Sequence, residues 1–355
     1  MTKDEGDFDP EGMICPAPLL DHKHIILGHG SGGKLTGDLV RKLFVPAFTN
    51  ECLDRLDDQA VFNLQGTRVA FTTDAFVVTP LIFPGGDIGR LAINGTVNDL
   101  AMSGAKPLYI AAAFILEEGL ELEELSRIVA SMRQAAHEAD VQLVTGDTKV
   151  VDRGKGDKLF ITTTGLGILE EPIALSANQG QPGDKVILSG TIGDHGTAIL
   201  SRREHLEFEG TIESDTAALH TLVAAMLRAT DQIHCMRDPT RGGLATTLNE
   251  LAAASGVGFE IDEKTIPATE SVRGACEILG LDPLYVANEG KLVALVAAEA
   301  AENLVGRMRQ HPLGAQAAII GEAVAQHPGI VILRTEIGGA RVIDVLRGEQ
   351  LPRIC

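Results

Sequence analysis

From His24 onward, short β-rich apolar runs alternate with stretches in which apolar residues return every three or four positions, the pattern of strands interleaved with amphipathic helices. Positions 69–72, 141–145 and 159–164 read as strands. Between them Leu122, Leu125, Ile128, Val129, Met132 and Ala136 form one apolar stripe, which predicts a helix packed on a sheet. The turn-rich stretch 175–184 precedes a fresh strand at 185–188, so a domain boundary is expected there. Helices at 215–229 and 243–255 and strands at 291–297, 317–320 and 330–333 follow. After Gly338 and Gly339, read as a hinge, a strand-like run at 341–346 leads into a tail. The expected organisation is a loose acidic arm over 1–23, mixed α/β domains over 24–174 and 175–337, and a mobile tail over 338–355.

Composition narrows the function classes. A chain of 355 residues, 45% hydrophobic and 22% charged, is long enough for about two domains with full cores. A net charge of −19 with no basic block repels phosphate backbones and anionic lipid, so neither nucleic acid nor a membrane is an expected partner. The longest apolar run, 108–116, falls short of the ~20 residues that cross a bilayer. Lys3, Asp4, Glu5 and Asp7 are not followed by the apolar segment of a secretory signal, and a cytoplasmic location is expected. Cys15, Cys52, Cys235, Cys276 and Cys355 include no C-x-x-C pair, which argues against a zinc site or disulfide framework. Cys355, after the stiffening Pro352, suits a thiol presented to more than one partner in turn. The plainer reading is a frayed end.

Two features point to phosphate chemistry. Gly28 to Lys34 matches the start of a P-loop, but Leu35 stands where a Mg²⁺-ligating hydroxyl is needed. The segment reads instead as a Gly-rich loop whose backbone N–H groups can close over phosphates, with an ordinary surface loop as the alternative. The second feature is a set of isolated aspartates at strand edges or in Gly/Thr turns: Asp58, Asp74, Asp99, Asp147 and Asp238. Convergent carboxylates are stable mainly when divalent cations neutralise them, and Mg²⁺ with a nucleoside triphosphate is a common occasion. Singly, each is equally a turn residue or a helix N-cap.

Gly28 to Lys34, Asp58-Gln59-Ala60, Thr73-Asp74-Ala75, Gly95 to Ala101, Val144 to Lys149 and Asp238 to Gly243 occur in an order that resembles the ATP-binding superfamily of aminoimidazole ribonucleotide synthetase, selenophosphate synthetase and thiamine phosphate kinase. Within it, Val144 to Val151, Gly193 to Gly196, Ala287 to Lys291 and Pro352 to Cys355 resemble the carbamoyl dehydratases of hydrogenase maturation. The resemblance spans His24 to Cys355 and implies a two-domain α/β fold, α+β mixed, of the aminoimidazole ribonucleotide synthetase type, paired as a homodimer through its N-terminal domain. It implies that a carbamoyltransferase, HypF, loads Cys355 and that ATP drives dehydration of the carbamoyl group to a thiocyanate. The cyanide then passes to iron on HypC and HypD. Carried over position by position, it implies Mg²⁺ on Asp58, Asp74, Asp99, Asp238 and Asp147. Cys355, Lys149 and Glu289 become catalytic candidates. Gly30, Ser31, Gly32, Gly33, Lys34, Asn98, Gly146, Thr148, Thr240, Arg241 and Gly242 become nucleotide-binding candidates. His195, between Gly193 and Gly196, is a weaker one that either positions phosphate or fills a turn.

Overall fold

The computed structural model describes residues 24–170, 173–206, 212–346, 348 and 354; the expected arm over 1–23 and Cys355 itself lie outside these. The first half runs α1 (Lys34–Leu39), α2 (Val45–Phe48), β1 (Ala60–Leu64), β2 (Thr67–Phe76), β3 (Ile82–Phe83), β4 (Gly86–Asp87), α3 (Ile88–Met102), β5 (Lys106–Glu117), α4 (Leu122–Glu138), β6 (Gln142–Val151) and β7 (Leu159–Leu169). Five of the strands form a sheet in the order β1-β2-β7-β5-β6. β5 and β6 are parallel, joined through α4, and the other neighbours are antiparallel. α4 buries Ile128, Met132 and Ala136 from the expected stripe, while Leu122 and Val129 face outward.

The second half runs β8 (Lys185–Leu188), α5 (Asp194–Arg203), α6 (His220–Ala229), β9 (Ile233–Arg237), α7 (Gly243–Ser255), β10 (Gly258–Asp262), α8 (Glu270–Leu279), β11 (Val293–Val296), α9 (Ala298–Met308), β12 (Ala318–Val324), β13 (Val331–Arg334) and β14 (Ala340–Ile343). Its seven-stranded sheet has the order β14-β13-β10-β12-β8-β11-β9. Both halves are thus mixed α/β units with their own sheets.

Three expectations need correction. The helix read from 215 starts at His220, because the Asp215 side chain is drawn inward to Lys291 and the amide of Glu289 rather than left on a helix surface. The strand read over 291–297 is Val293–Val296. Gly338 and Gly339 are not a hinge: Gly338 N donates to Thr335 O at 3.0 Å and Thr335 N to Gly339 O at 2.8 Å, which closes the tight turn joining β13 to β14. The tail boundary at 338 therefore falls inside the second sheet.

α3 is the element that positions the site. Asp87 caps it, its carboxylate accepting from Gly89 N and Arg90 N at 2.8 and 3.0 Å, which satisfies two of the orphan donors of the first turn. Leu91, Ile93 and Leu100 on it are fully buried, each contributing roughly 1.5–3 kcal/mol. A helix enclosed on every side also holds its polar residues still, and α3 carries Asn94, Asn98 and Asp99 to the seam between the two halves.

Candidate active site

A cleft of about 900 Å³ opens at that seam, a size that suits a nucleotide. The first half supplies Asp57, Asp58, Thr73, Asp74 and Asp99; the second supplies Arg237, Asp238, Thr240, Arg241 and Glu250. Four of the five expected aspartates thus share one wall, although they lie up to 180 residues apart in sequence. Among the described residues, no three His, Cys, Asp or Glu side chains close around a single point.

The charges on this wall are poorly compensated. Burial pushes the Asp58 carboxyl up to about 6, against the pull of Arg237 and with help from Glu250, Asp57 and Asp74. Asp99 and Asp238 are held well above the usual carboxylate range, by burial first, then by Asp238, Asp74 and Asp58 around the former and by Asp58 around the latter. Asp74 is raised by burial, with Arg241 opposing. Arg237 reaches Asp58 at 3.1 Å and Glu250 at 3.2 Å, and Arg41, Arg55 and Arg241 also line the cleft. Thr72 Oγ1 lies 2.7 Å from Asp99 Oδ2 and orients it. Asp57 has another task, accepting from Ser176 Oγ and Ala177 N and so fastening the segment between the domains. Hard, crowded, partly desolvated oxygens are the donor set that Mg²⁺ favours, and a bound phosphate chain supplies further ligands.

Beyond the cleft wall lies Glu289. It is 3% exposed, its Oε1 has no hydrogen-bond partner among the described residues, and burial together with Asp238, Asp215 and Asp74 raises its carboxyl well above the usual range. On the side away from the cleft, Asp215 accepts from Glu289 N at 3.0 Å and from Lys291 Nζ at 2.9 Å. His195, fully buried, faces Asp215 and contacts the carbonyl of Ile354. Ile354 is buried against Val78 and pairs with it in an antiparallel bridge.

Several expected residues stand elsewhere. Asn98 is not turned toward a ligand: its Nδ2 donates to Ala217 O and Glu289 O at 3.1 and 3.2 Å, and its Oδ1 accepts from Leu219 N at 2.8 Å. It spends its whole amide clamping the backbone that carries Glu289. Gly146, Asp147, Thr148 and Lys149 lie along β6, exposed over almost its whole length and apart from the cleft. There Lys149 pairs with Asp147 at 2.7 Å, and the bonds from Lys149 and Thr148 lower the Asp147 carboxyl. Of the Gly-rich segment only Gly32 lines the cleft. The Lys34 amide donates instead to Leu346 O at 2.7 Å, where the chain leaves the second sheet. Thr240 and Arg241 do line the cleft. Gly242 begins α7 at φ +78°, and a Cβ there would stand 2.1 Å from Thr246 Oγ1, so it shapes the turn by lacking a side chain. Asp238 is not the cap of α7, whose N-cap is Gly242.

The comparisons with known proteins agree with this geometry. Residues 56–169 match the family described as AIR synthase related protein, N-terminal domain, and residues 181–334 match its C-terminal domain. The carbamoyl dehydratase HypE of Azotobacter vinelandii is 60% identical over 327 residues, 92% of this chain and 96% of that protein. The chain belongs to the HypE family of carbamoyl dehydratases. A crystal structure of HypE in complex with ATP, 48% identical, superposes with a TM-score of 0.79 over 94% of this chain and all of that one. A HypE–HypF complex gives 0.83 at 47% identity, over 87% of this chain and 99% of that one. Membership of the family makes the chain an enzyme, and it places the carboxylate cleft in a fold whose relatives handle nucleotides. Among the described residues, no helix is long and apolar enough to cross a membrane.

Arg237, Glu250, Asp215 and Lys291 were not singled out from the sequence. Arg237 directly precedes Asp238 and Lys291 follows Glu289 by two residues, and that nearness of a cation to a motif carboxylate was the available signal.

Proposed function

We propose that the protein dehydrates a carbamoyl group carried on the Cys355 thiol to a thiocyanate at the expense of ATP, and so supplies the cyanide ligand for the iron of [NiFe]-hydrogenase. The observation that carries this reading is the docking of Ile354. The residue before the thiol is buried at the same domain seam as the carboxylate cleft, with Glu289 between them. A superfamily enzyme acting on a free small molecule has no need of a seat for its own tail.

The reaction requires loss of oxygen from carbon, and phosphorylation turns that oxygen into a good leaving group. The carbamoyl oxygen attacks the γ-phosphorus, ADP departs, and nitrogen gives up a proton. The C–O bond then breaks, phosphate leaves with both bonding electrons, nitrogen loses its second proton, and S–C≡N remains. Tethering the reactant to the chain makes the encounter with nucleotide intramolecular. The buried seam keeps water from the phosphorylated intermediate. Glu289, whose Oε1 meets no partner among the described residues, would receive a nitrogen proton. Asp58, Asp74, Asp99 and Asp238 would hold Mg²⁺, which when bound neutralises charge on the phosphates. Thr240 and Arg241 face the same space, and Gly32 approaches Arg241 so closely that a Cβ would meet its carbonyl at 2.7 Å, which keeps the Gly-rich segment over the cleft.

Lys149 and Asp147 enter this scheme through a second copy of the chain. β6 is an exposed edge carrying Leu143, Val144 and Val150, and Phe71, Tyr109 and Ile115 are exposed on the same sheet. An uncovered apolar sheet with a free edge favours pairing with another copy, and a homodimer would bring the β6 residues to the partner's cleft. The HypE–HypF complex of a relative supports HypF as the loading partner; HypC and HypD as cyanide acceptors and a cytoplasmic location complete the reading.

The test is mass spectrometry of the C-terminal peptide after loading by a HypF-type carbamoyltransferase. On adding Mg²⁺ and ATP, the carbamoylated peptide should lose one water with release of one ADP. Retention of the full carbamoyl mass while ADP accumulates would overturn the proposal.

A further inference from the structure

The tail's penultimate carbonyl is held by a relay that the catalytic scheme does not use. His195 contacts Ile354 O through Nε2, and its Nδ1 lies 2.7 Å from Ser214 Oγ. A carbonyl only accepts, so Nε2 must carry the proton and Nδ1 must accept from the Ser214 hydroxyl. Ser214 is set up for that role, because its Oγ accepts from Thr216 N at 3.2 Å and keeps its own hydrogen to donate. Its position is fixed in turn by Ser214 N donating to Pro84 O at 2.9 Å, and the His195 ring is held by Phe83, perpendicular to it with centroids 5.5 Å apart. Burial lowers the imidazole's proton affinity and keeps it neutral, with Asp215 opposing.

The next residue along, Asp215, accepts from Glu289 N at 3.0 Å. Two consecutive residues of one loop therefore fix two things that must meet: Ser214 sets the tail through His195, and Asp215 sets the backbone of the proton acceptor. We propose that Ser214 and His195 form a latch that seats the carbonyl of Ile354, making them positioning residues that hold the loaded thiol in register with Glu289. This inference rests on the dehydratase reading for its purpose, though not for its geometry. A docked tail cannot at the same time enter a loading enzyme, so the latch should favour dehydration and oppose loading.

Three variants of the full chain test it: His195→Leu, which removes the donor; His195→Gln, whose amide nitrogen can donate from near the Nε2 position; and Ser214→Ala, which frees the tautomer. The first readout needs no catalysis. Trypsin cleavage at Arg353–Ile354, followed by intact mass as loss of the Ile-Cys dipeptide, requires Ile354 to leave its seat. Loss of one hydrogen bond should speed this cleavage roughly three- to tenfold in His195→Leu and Ser214→Ala, with His195→Gln close to native. The second readout separates the half-reactions: ADP release from carbamoyl-loaded protein should fall in His195→Leu, while the rate of loading holds or rises. His195→Gln should recover dehydration. Cleavage at the native rate in both His195→Leu and Ser214→Ala would overturn the latch, as would equal slowing of loading and dehydration in all three variants. Should loaded native protein release no ADP, the dehydratase reading fails instead, and the protease measurement still decides whether the seat exists.

Discussion

Raising the pH should destabilise the cation-free protein, and Asp58→Asn should reduce that loss. The Asp58 carboxyl is pushed from 3.8 up to about 6, burial being the main cause. The folded chain therefore holds this proton more tightly than the unfolded chain. Stability is fully present below 3.8 and is lost as the pH rises toward 6, the reverse of an ion-paired carboxylate. The difference of about two pH units corresponds to about 3 kcal/mol at 1.36 kcal/mol per unit. Asp74, Asp99 and Asp238 are shifted in the same direction, so the wild-type slope should exceed this figure and Asp58→Asn should flatten it only in part. Arg237 keeps Glu250 as a partner in the variant, which limits the penalty of removing Asp58. With no tryptophan in the chain, far-ultraviolet circular dichroism in urea is the suitable assay, run with a chelator at about pH 4.5 and about pH 7. Only the part of the shift above pH 4.5 is sampled, so the mutant should gain on wild type by about 2 kcal/mol between the two conditions, and saturating Mg²⁺ should narrow the gap. A wild-type stability that stays level or rises over this window in chelator, or a mutant slope as steep as the native one, would refute the argument that these carboxylates are uncompensated.

Two further substitutions probe the same seam. Asp74→Asn should weaken Mg²⁺-dependent nucleotide binding by roughly tenfold or more, about 1.4 kcal/mol, and titration calorimetry showing unchanged affinity would remove Asp74 from the site. Asn98→Leu leaves Ala217 O, Glu289 O and Leu219 N without their amide partner, which at about 1–3 kcal/mol per buried group should cost about 3 kcal/mol or more; scanning calorimetry with a loss below about 1 kcal/mol would contradict the clamp.

How far the sequence discloses this architecture depends on what each residue's neighbours are. Strands and helices with strong local periodicity, such as 159–164 and 243–255, emerge in place because burial on one face writes itself into the chain. The aspartates are legible as a set for a related reason: charges at strand edges and in Gly/Thr turns stand out from apolar surroundings, and four of the five line the cleft. Asn98 misleads, since a polar residue in a motif looks the same whether it touches ligand or backbone. Asp215 misleads as well, because helical periodicity extends through it while its charge is pulled inward by Lys291. The role of β6 is hidden for a different reason. Gly146, Asp147 and Lys149 carry the motif, yet they face outward from the sheet, and the homodimer proposed above is a reading that no local pattern in the sequence spells out. Gly338-Gly339 shows the limit of composition alone: a glycine pair permits a hinge or a tight turn, and only the bonds of Thr335 decide for the turn.

Those bonds also bear on where the tail of the proposed reaction is anchored. With Ala340–Ile343 paired to β13 and Leu346 O accepting from Lys34 N at 2.7 Å, the chain is anchored well past the glycine pair. Nine residues follow Leu346 and span at most about 30 Å when extended, so on the reading proposed above that is the farthest Cys355 could lie from Leu346 when it meets a loading enzyme. Leu346, held by Lys34, and Ile354, bridged to Val78, define both ends of that path against the two halves that form the cleft.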